Sequence, residues 1–144
     1  MNESMNTSEN ASPKPVLFDR LGGRPGLEAL LVDFYQQAQQ DPVIGPVFQK
    51  HVHDWPSHIA TVTDFWSTQT GGPLVYRGGM GRHLRLGLEP QHFEHWLALW
   101  QRVTRQRFDA ESADQLLEIG RLVAGRLIEM AAGMHGVRIT GRPA

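Results

Sequence analysis

Residues 55–66 read WPSHIATVTDFW, and this stretch combines the signal of a helix start with apolar residues at helical spacing. Proline is tolerated in the first turn of a helix, where the backbone N–H groups lack intrahelical partners. Four apolar residues then recur at helical spacing: Ile59, Val62, Phe65 and Trp66. His58 precedes Val62 by four positions and shares its face of the helix. An ionisable ring on an apolar face needs a partner or a role.

The same helical period continues on both sides of this stretch. Upstream, a helix opening after Gly22-Gly23 turns one set of side chains inward: Leu27, Leu30, Leu31, Phe34, Tyr35 and Ala38. Downstream, a helix beginning at Glu89-Pro90 does so with Phe93, Trp96, Leu97, Trp100 and Val103. A last helix, capped by Asp109, is expected to bury Leu116, Ile119, Val123, Leu127, Met130 and Met134. No segment has a convincing period of two, so the sequence predicts an all-α fold.

Proline and glycine mark the links between these helices. Asp41-Pro42 ends the first helix and Gly71-Gly72-Pro73 ends the second. The following stretch holds Gly78, Gly79, Gly81 and Gly87. Each interior glycine costs about 1 kcal/mol relative to alanine in a helix. We therefore expect only a short helix there, over residues 80–86.

The length of 144 residues allows one domain with a real core and is too short for two. Residues 1–15 are rich in Asn, Ser and Pro, which predicts a disordered N-terminal tail. Residues 16–136 are expected to form the domain, and residues 137–144 a flexible C-terminal tail. The start lacks the basic and apolar runs of a signal peptide, and no apolar run suits a membrane span. We expect a cytoplasmic protein.

Charge and cysteine content exclude several function classes. Fourteen Lys and Arg against 15 Asp and Glu leave a net charge of −1, which disfavours nucleic acid or an anionic membrane as the main partner. Because the chain has no cysteine, it has no disulfide, thiolate metal site, cysteine nucleophile or covalently attached c-type haem. The chemistry must therefore lie with the histidines and the aromatic residues.

The seven histidines differ in their sequence context. Five are expected to be solvated or bound by ordinary hydrogen bonds: His51, His53, His92, His95 and His135. A zinc site built from His51, His53 and His58 is disfavoured, because closed zinc sites take four ligands that usually include cysteine. Two histidines remain as candidates for a site. His58 lies on an apolar helix face. His83 lies in the glycine-rich segment 78–87, where one imidazole can ligate a metal carried by a large flat group.

The order and spacing of several motifs resemble those of truncated haemoglobins. These motifs are Phe34-Tyr35, Asp41-Pro42, Phe48, Trp55-Pro56-Ser57-His58, Phe65-Trp66, Tyr76-Arg77-Gly78, Met80-x-x-His83 and His92-Phe93-x-x-Trp96-Leu97. The resemblance covers about Phe18 to Met134 and implies a two-over-two helical sandwich around one b-type haem. Trp55-x-x-His58 and Trp66 are similar to the third group of this family, whereas the glycine pairs at 22–23 and 71–72 are more typical of the first two.

The resemblance also implies roles for individual residues. His83 takes the position of the iron ligand, and His92 competes for it from a different point of the motif. The ligand-binding face is implied to hold Phe34, Tyr35, His58 and Trp96. The implied haem contacts are Phe48, Val62, Phe65, Tyr76, Met80, Arg82, Phe93, Val123 and Leu127, with Tyr76 and Arg82 placed for the propionates. The Tyr35 hydroxyl and the Trp96 indole N–H are donors for a gas that gains partial negative charge.

The function implied by the resemblance is reversible binding of O2, NO and CO. Nitric oxide dioxygenation or peroxidase-like turnover is implied as well, with electrons from an external donor. Two alternatives remain at this point. His58 itself ligates the iron in a gas or redox sensor, or the chain is a haem-free helical module whose aromatic stripes form a core or face a partner. The residues alone also allow Tyr35 and Trp96 to be ordinary core aromatics.

Overall fold

The computed structural model describes residues 15–78 and 88–141, with side chains described as far as Met130. The helices in these ranges are α1 Leu17–Arg20, α2 Gly23–Ala38, α3 Gly45–His51, α4 Trp55–Gln69, α5 Pro90–Arg107 and α6 Ala110–Gly141. These ranges contain no strand, so the all-α prediction is confirmed. Within them, no helix has the length and hydropathy that crossing a bilayer requires. The predicted short helix over residues 80–86 lies outside the described residues.

The long helices pack as two pairs. Helix α2 lies against α4, and α5 lies against α6. A further contact between α2 and α5 joins the two pairs, while the short α1 contacts both α2 and α6. The two-over-two sandwich expected from the sequence is therefore confirmed.

Helix α2 supplies the centre of the core. All six of its predicted inward residues are buried: Leu27, Leu30, Leu31, Phe34, Tyr35 and Ala38. Full burial of a large apolar side chain stabilises the fold by about 1.5–3 kcal/mol. From the other pair, Trp100 is fully buried, and its indole Nε1–H donates to the carbonyl oxygen of Leu116 over 2.9 Å. This hydrogen bond satisfies the one polar atom of the indole and ties α5 to α6.

Helix α4 begins and ends where the sequence predicts. The Asp54 side chain accepts a hydrogen bond from the backbone N–H of Ser57 over 3.1 Å, which caps the first turn. After the helix, Gly71 has φ of 94°, a left-handed conformation that glycine adopts without strain. The next residue, Gly72, donates its N–H back to the carbonyl oxygen of Ser67 over 2.8 Å. The glycine pair thus stops the helix and turns the chain.

Helix α6 is capped as predicted but is longer than its partner. The Asp109 side chain accepts from the backbone N–H of Ser112 over 3.1 Å. Helix α6 has 32 residues against the 18 of α5, and the two are joined by a short link. The far end of α6 therefore extends past the start of α5. For that reason Met130 is 42% exposed, and its predicted burial is wrong.

The two predicted tails are not decided by the structure. Residues 1–14 lie outside the described residues. Helix α6 continues to Gly141, so part of the segment 137–144 is helical. The flexibility of that segment stays a prediction.

Candidate functional site

Tyr35 is the centre of an aromatic cluster that α2, α3 and α4 build together. Its ring meets the ring of Phe48 edge-on at a centroid distance of 5.3 Å and the imidazole of His58 edge-on at 5.0 Å. The indole of Trp55 lies at 5.6 Å from it. Edge-on contacts at these distances are favourable between aromatic rings. We name Tyr35, Phe48, Trp55 and His58 the tyrosine cluster.

The start of α4 positions two members of this cluster. Trp55 and His58 are three residues apart on that helix and therefore project from the same side. Their rings contact each other edge-on with centroids 5.4 Å apart. Trp55 was not among the predicted site residues, although its spacing from His58 was the available signal.

Asp41 fixes the corner between α2 and α3. Its Oδ1 accepts hydrogen bonds from the backbone N–H groups of Val43 over 2.8 Å and Ile44 over 3.0 Å. The carboxylate also lies 3.3 Å from Nδ1 of His95 on α5. Burial by itself raises the pKa of Asp41, but the hydrogen bonds from Ile44, Val43 and His95 outweigh it and lower that pKa. The Asp41 carboxylate thus holds the α2–α3 corner close to α5, and Phe48 follows this corner in the chain.

His95 was expected to be a solvated residue on the flank of its helix. Its side chain is 42% exposed, as that expectation requires, but it also pairs with Asp41. The two residues are 54 positions apart in the chain. No local sequence pattern connects residues at that distance.

Three tryptophans form a second aromatic group between α4 and α5. The indoles of Trp66 and Trp100 stack with centroids 4.5 Å apart, and those of Trp96 and Trp100 stack at 5.2 Å. The ring of Phe34 meets both Trp96 at 5.5 Å and Trp100 at 5.3 Å. Phe34 also contacts Tyr35 at 4.9 Å, so it joins this tryptophan stack to the tyrosine cluster.

The side chain of Tyr35 is buried. Burial raises the pKa of Tyr35 above its usual value, because the charged phenolate would lose its solvation there. The phenol therefore stays protonated at physiological pH. A protonated phenol is a hydrogen-bond donor for a small polarised ligand that enters the cluster.

The other predicted contacts are distributed over three helices and one link. Val62 and Phe65 are half-buried on α4, and Phe65 meets the ring of Tyr76 edge-on at 5.1 Å. Phe93 is half-buried on α5. On α6, Val123 is half-buried and Leu127 is buried. Met80, Arg82 and His83 lie outside the described residues, so the metal ligand stays a prediction.

His92, the competing candidate for the metal, has a local structural role. Its Nδ1 accepts a hydrogen bond from the backbone N–H of Glu89 over 2.8 Å, three residues earlier. A side chain at this position of a helix start commonly closes the first turn in this way. The lone pair on that nitrogen is therefore engaged in holding the start of α5.

The site presents a partly exposed apolar face. Five of its side chains pack against the core and remain half-buried: Phe48, Trp55, Val62, Phe65 and Trp96. Apolar surface of this kind, with a few polar atoms among it, is typical of a pocket for an apolar cofactor. The donor set of one phenol, one imidazole and one indole suits a small ligand next to that cofactor. A shallow depression of about 300 Å³ elsewhere is lined by Leu17, Gln69, Thr70, Gln115, Glu118 and Ile119, none of them a predicted site residue.

Comparison with known proteins agrees with this geometry. A family model described as bacterial-like globin matches residues 16–125. The chain is also similar to the crystal structure of a group III truncated haemoglobin from Campylobacter jejuni, with 26% sequence identity and a TM-score of 0.69. That similarity covers 76% of this chain and 91% of the Campylobacter chain. The curated proteins contain no match.

Proposed function

Because the chain belongs to the bacterial-like globin family and is a truncated globin similar to group III, we propose that it binds diatomic gases reversibly at one haem b ligated by His83. The family implies a haem cofactor and diatomic ligands such as O2. The observation that carries the proposal is the tyrosine cluster, where a buried, protonated phenol lies beside an imidazole. Such a cluster offers hydrogen bonds to a small ligand within an otherwise apolar face.

The residues of the site fit a haem. The half-buried faces of Phe48, Val62 and Phe65 would cover an apolar macrocycle, together with Met80, Phe93, Val123 and Leu127. Tyr76 and Arg82 would hold the propionates, because a phenol and a guanidinium both donate hydrogen bonds to carboxylates. The imidazole of His83 would supply the nitrogen that binds the iron. When bound, ferrous haem supplies an iron that takes a diatomic gas and shifts negative charge toward it.

The ligand-binding residues act by donating hydrogen bonds and by excluding water. The Tyr35 hydroxyl and the Trp96 indole N–H are the donors of this proposal. The ring of Phe34 lies between them and holds both in place by edge-on contacts. His58 lies against Tyr35 and contributes a third polar group. In a dry site such hydrogen bonds are stronger than in water.

The proposal includes turnover as well as binding. Nitric oxide dioxygenation or peroxidase-like reduction is the reaction class, with electrons supplied by an external donor in the cytoplasm. The polar tyrosine cluster supports this extension, because developing charge on an oxygen atom is stabilised by preorganised donors.

Haem titration tests the proposal. The purified protein is expected to take up hemin and to show the spectra of a five-coordinate ferrous haem and of gas-bound forms. The His83→Ala variant is expected to lose this ligation, and added imidazole to restore part of it. The His92→Ala variant is the matched control and is expected to keep the wild-type spectra. Protein that stays colourless with hemin, or His83→Ala protein with unchanged spectra, contradicts the proposal.

The same spectra decide between reversible gas binding and the sensor alternative. If His58 ligated the iron, the ferric and gas-free ferrous forms at neutral pH would both be low-spin. High-spin spectra are expected here, because the proposed role of His58 is to face the gas. Low-spin spectra that become high-spin in the His58→Ala variant would support the sensor.

A further inference from the structure

The tryptophan stack brings three easily oxidised side chains into contact. Trp66, Trp96 and Trp100 are three of the four tryptophans of the chain. Their planes are nearly parallel, with angles of 26° between Trp66 and Trp100 and 17° between Trp96 and Trp100. Indole and phenol are the side chains that give up a single electron most readily. Stacked indoles share the resulting positive charge, which makes each of them easier to oxidise than an isolated one.

We propose that this stack is an electron relay, which carries single electrons from Tyr76 through Trp66, Trp100 and Trp96 to the ligand pocket. Trp96 is its inner end, since the proposed function places that indole against the gas. Tyr76 is its outer end, because the half-buried Tyr76 ring meets Phe65, which in turn meets Trp66 at 5.5 Å.

The interior of the relay is dry, which keeps an oxidised indole from losing its proton. Trp100 and Trp66 are 0% and 3% exposed. The indole N–H of Trp100 donates to the backbone carbonyl of Leu116. A carbonyl accepts a hydrogen bond but does not take up a proton at neutral pH. A radical cation on Trp100 therefore keeps its charge and can pass it on to a neighbouring indole.

The two tyrosines of the chain differ in their ability to end the relay. An oxidised phenol is stable only after it releases its proton. The half-buried Tyr76 lies within reach of solvent, whereas Tyr35 is buried and its pKa is raised by that burial. Tyr35 therefore retains its proton and its hydrogen-bonding role. The oxidation therefore ends on Tyr76 as a tyrosyl radical, and a dissolved reductant can return the electron there.

The reaction that uses the relay is the reduction of hydrogen peroxide, and this part rests on the proposed function because the haem site is where peroxide reacts. Reducing one hydrogen peroxide to two water molecules takes two electrons and two protons. The relay delivers the electrons singly. For each one, Tyr76 gives an electron to the stack and a proton to solvent, and the pocket takes up a proton from solvent. An external phenol then returns one hydrogen atom to the Tyr76 radical and becomes a phenoxyl radical.

Pulse radiolysis with azide radicals tests the relay without depending on haem. Azide radicals remove one electron from tryptophan in the purified protein as isolated. The tryptophan radical absorption is expected to decay while tyrosyl absorption grows, at a rate independent of protein concentration. The Tyr76→Phe variant is expected to lose the tyrosyl signal and Trp66→Phe to lose most of it. Trp55→Phe, which removes an indole outside the stack, is expected to keep it.

Two results would contradict the relay. A tyrosyl signal that survives in Tyr76→Phe, or a transfer rate that rises with protein concentration, overturns it. If Trp66→Phe fails to fold, Tyr76→Phe still decides, because that change removes one oxygen atom outside the stack. The visible spectrum of the same sample reports haem binding separately. Transfer in a protein that takes up no haem therefore contradicts the proposed function and leaves the relay standing.

Discussion

At the scale of single residues, Tyr35 is central to the proposed ligand site. Its ring is fixed by edge-on contacts to Phe34, Phe48 and His58. Its burial keeps the hydroxyl protonated, since burial raises its pKa. A fixed, protonated phenol is preorganised to donate a hydrogen bond, so a ligand does not need to reorder the site on entry.

The Tyr35→Phe variant is expected to release O2 at least several-fold faster than the wild type. Losing a hydrogen bond to a charged acceptor costs on the order of 1.5–3 kcal/mol, which corresponds to roughly 10- to 150-fold in affinity. Stopped-flow ligand replacement measures the rate. CO is the control ligand, because it gains less negative charge and its dissociation should change less. Equal O2 dissociation rates in Tyr35→Phe and the wild type would show that Tyr35 donates no hydrogen bond to the bound gas.

Alkaline pH is expected to destabilise the wild type more than Tyr35→Phe. The folded state raises the pKa of Tyr35, so above the unfolded value of about 10 the unfolded chain loses this proton first. The contribution of Tyr35 to stability is therefore complete below that pH and falls as pH rises above it. Urea unfolding across the alkaline range checks this, and parallel pH profiles for the two proteins would contradict it.

At the scale of secondary-structure elements, Asp41 is the residue that joins helices. It holds the turn before α3 through the N–H groups of Val43 and Ile44, and it reaches α5 through His95. Tyr35 lies before this corner, Phe48 lies after it, and Trp96 is the neighbour of His95 in sequence. The relative placement of three residues of the proposed site thus depends on the Asp41 carboxylate.

Replacing Asp41 by Ala is expected to lower the free energy of unfolding by about 1–3 kcal/mol, because two backbone donors lose their acceptor. The Asp41→Asn variant keeps an oxygen acceptor and loses only the charge, so its loss should be smaller. Urea unfolding at neutral pH measures both. Since the folded state lowers the pKa of Asp41, its ionic contribution is present above the unfolded value of about 4 and disappears as pH falls through the lower folded value. Full stability in both variants would contradict this role.

At the scale of the whole molecule, the packing of α6 on α5 supports the tryptophan stack. Gly120 of α6 lies directly against it, so an added Cβ there would be 3.0 Å from Cδ1 of Trp100 and 3.2 Å from Cζ3 of Trp96. The absence of a side chain at this position lets the two helices approach. The stack also contacts Phe34 of α2, and this contact joins the α5–α6 pair to the α2–α4 pair.

The Gly120→Ala variant is expected to be about 1–3 kcal/mol less stable than Gly125→Ala, the usual cost of an inserted methyl group in a packed core, because both variants share the gain in helix propensity. Its tryptophan fluorescence and O2 dissociation rate should change as well, since Trp96 has to move. Gly125→Ala is the matched control on the same helix, because a Cβ there meets nothing within 4 Å. That control should gain up to about 1 kcal/mol from helix propensity. Thermal unfolding compares the two, and equal gains in both would show that the contact at Gly120 is loose.

The four long helices, the caps of α4 and α6 and the inward face of α2 could be predicted from the sequence, whereas the short helices α1 and α3 were not predicted. The six predicted residues of that face are all buried, and Asp54 and Asp109 cap their helices as predicted. These features depend on residues three or four positions apart, and such spacing is read directly from the chain. The motif order also predicted the family, which the comparison confirmed. The ligation of iron by His83 stays a prediction.

Only the tertiary structure decided which distant residues meet. The pairing of His95 with Asp41, the place of Trp55 beside Tyr35 and the stacking of Trp66 on Trp100 all join separate helices. The exposure of Met130 likewise follows from the difference in length between α5 and α6. The physical reason is the same in each case. A helical period fixes which side chains share a face, whereas contacts between helices depend on how those faces pack together in space.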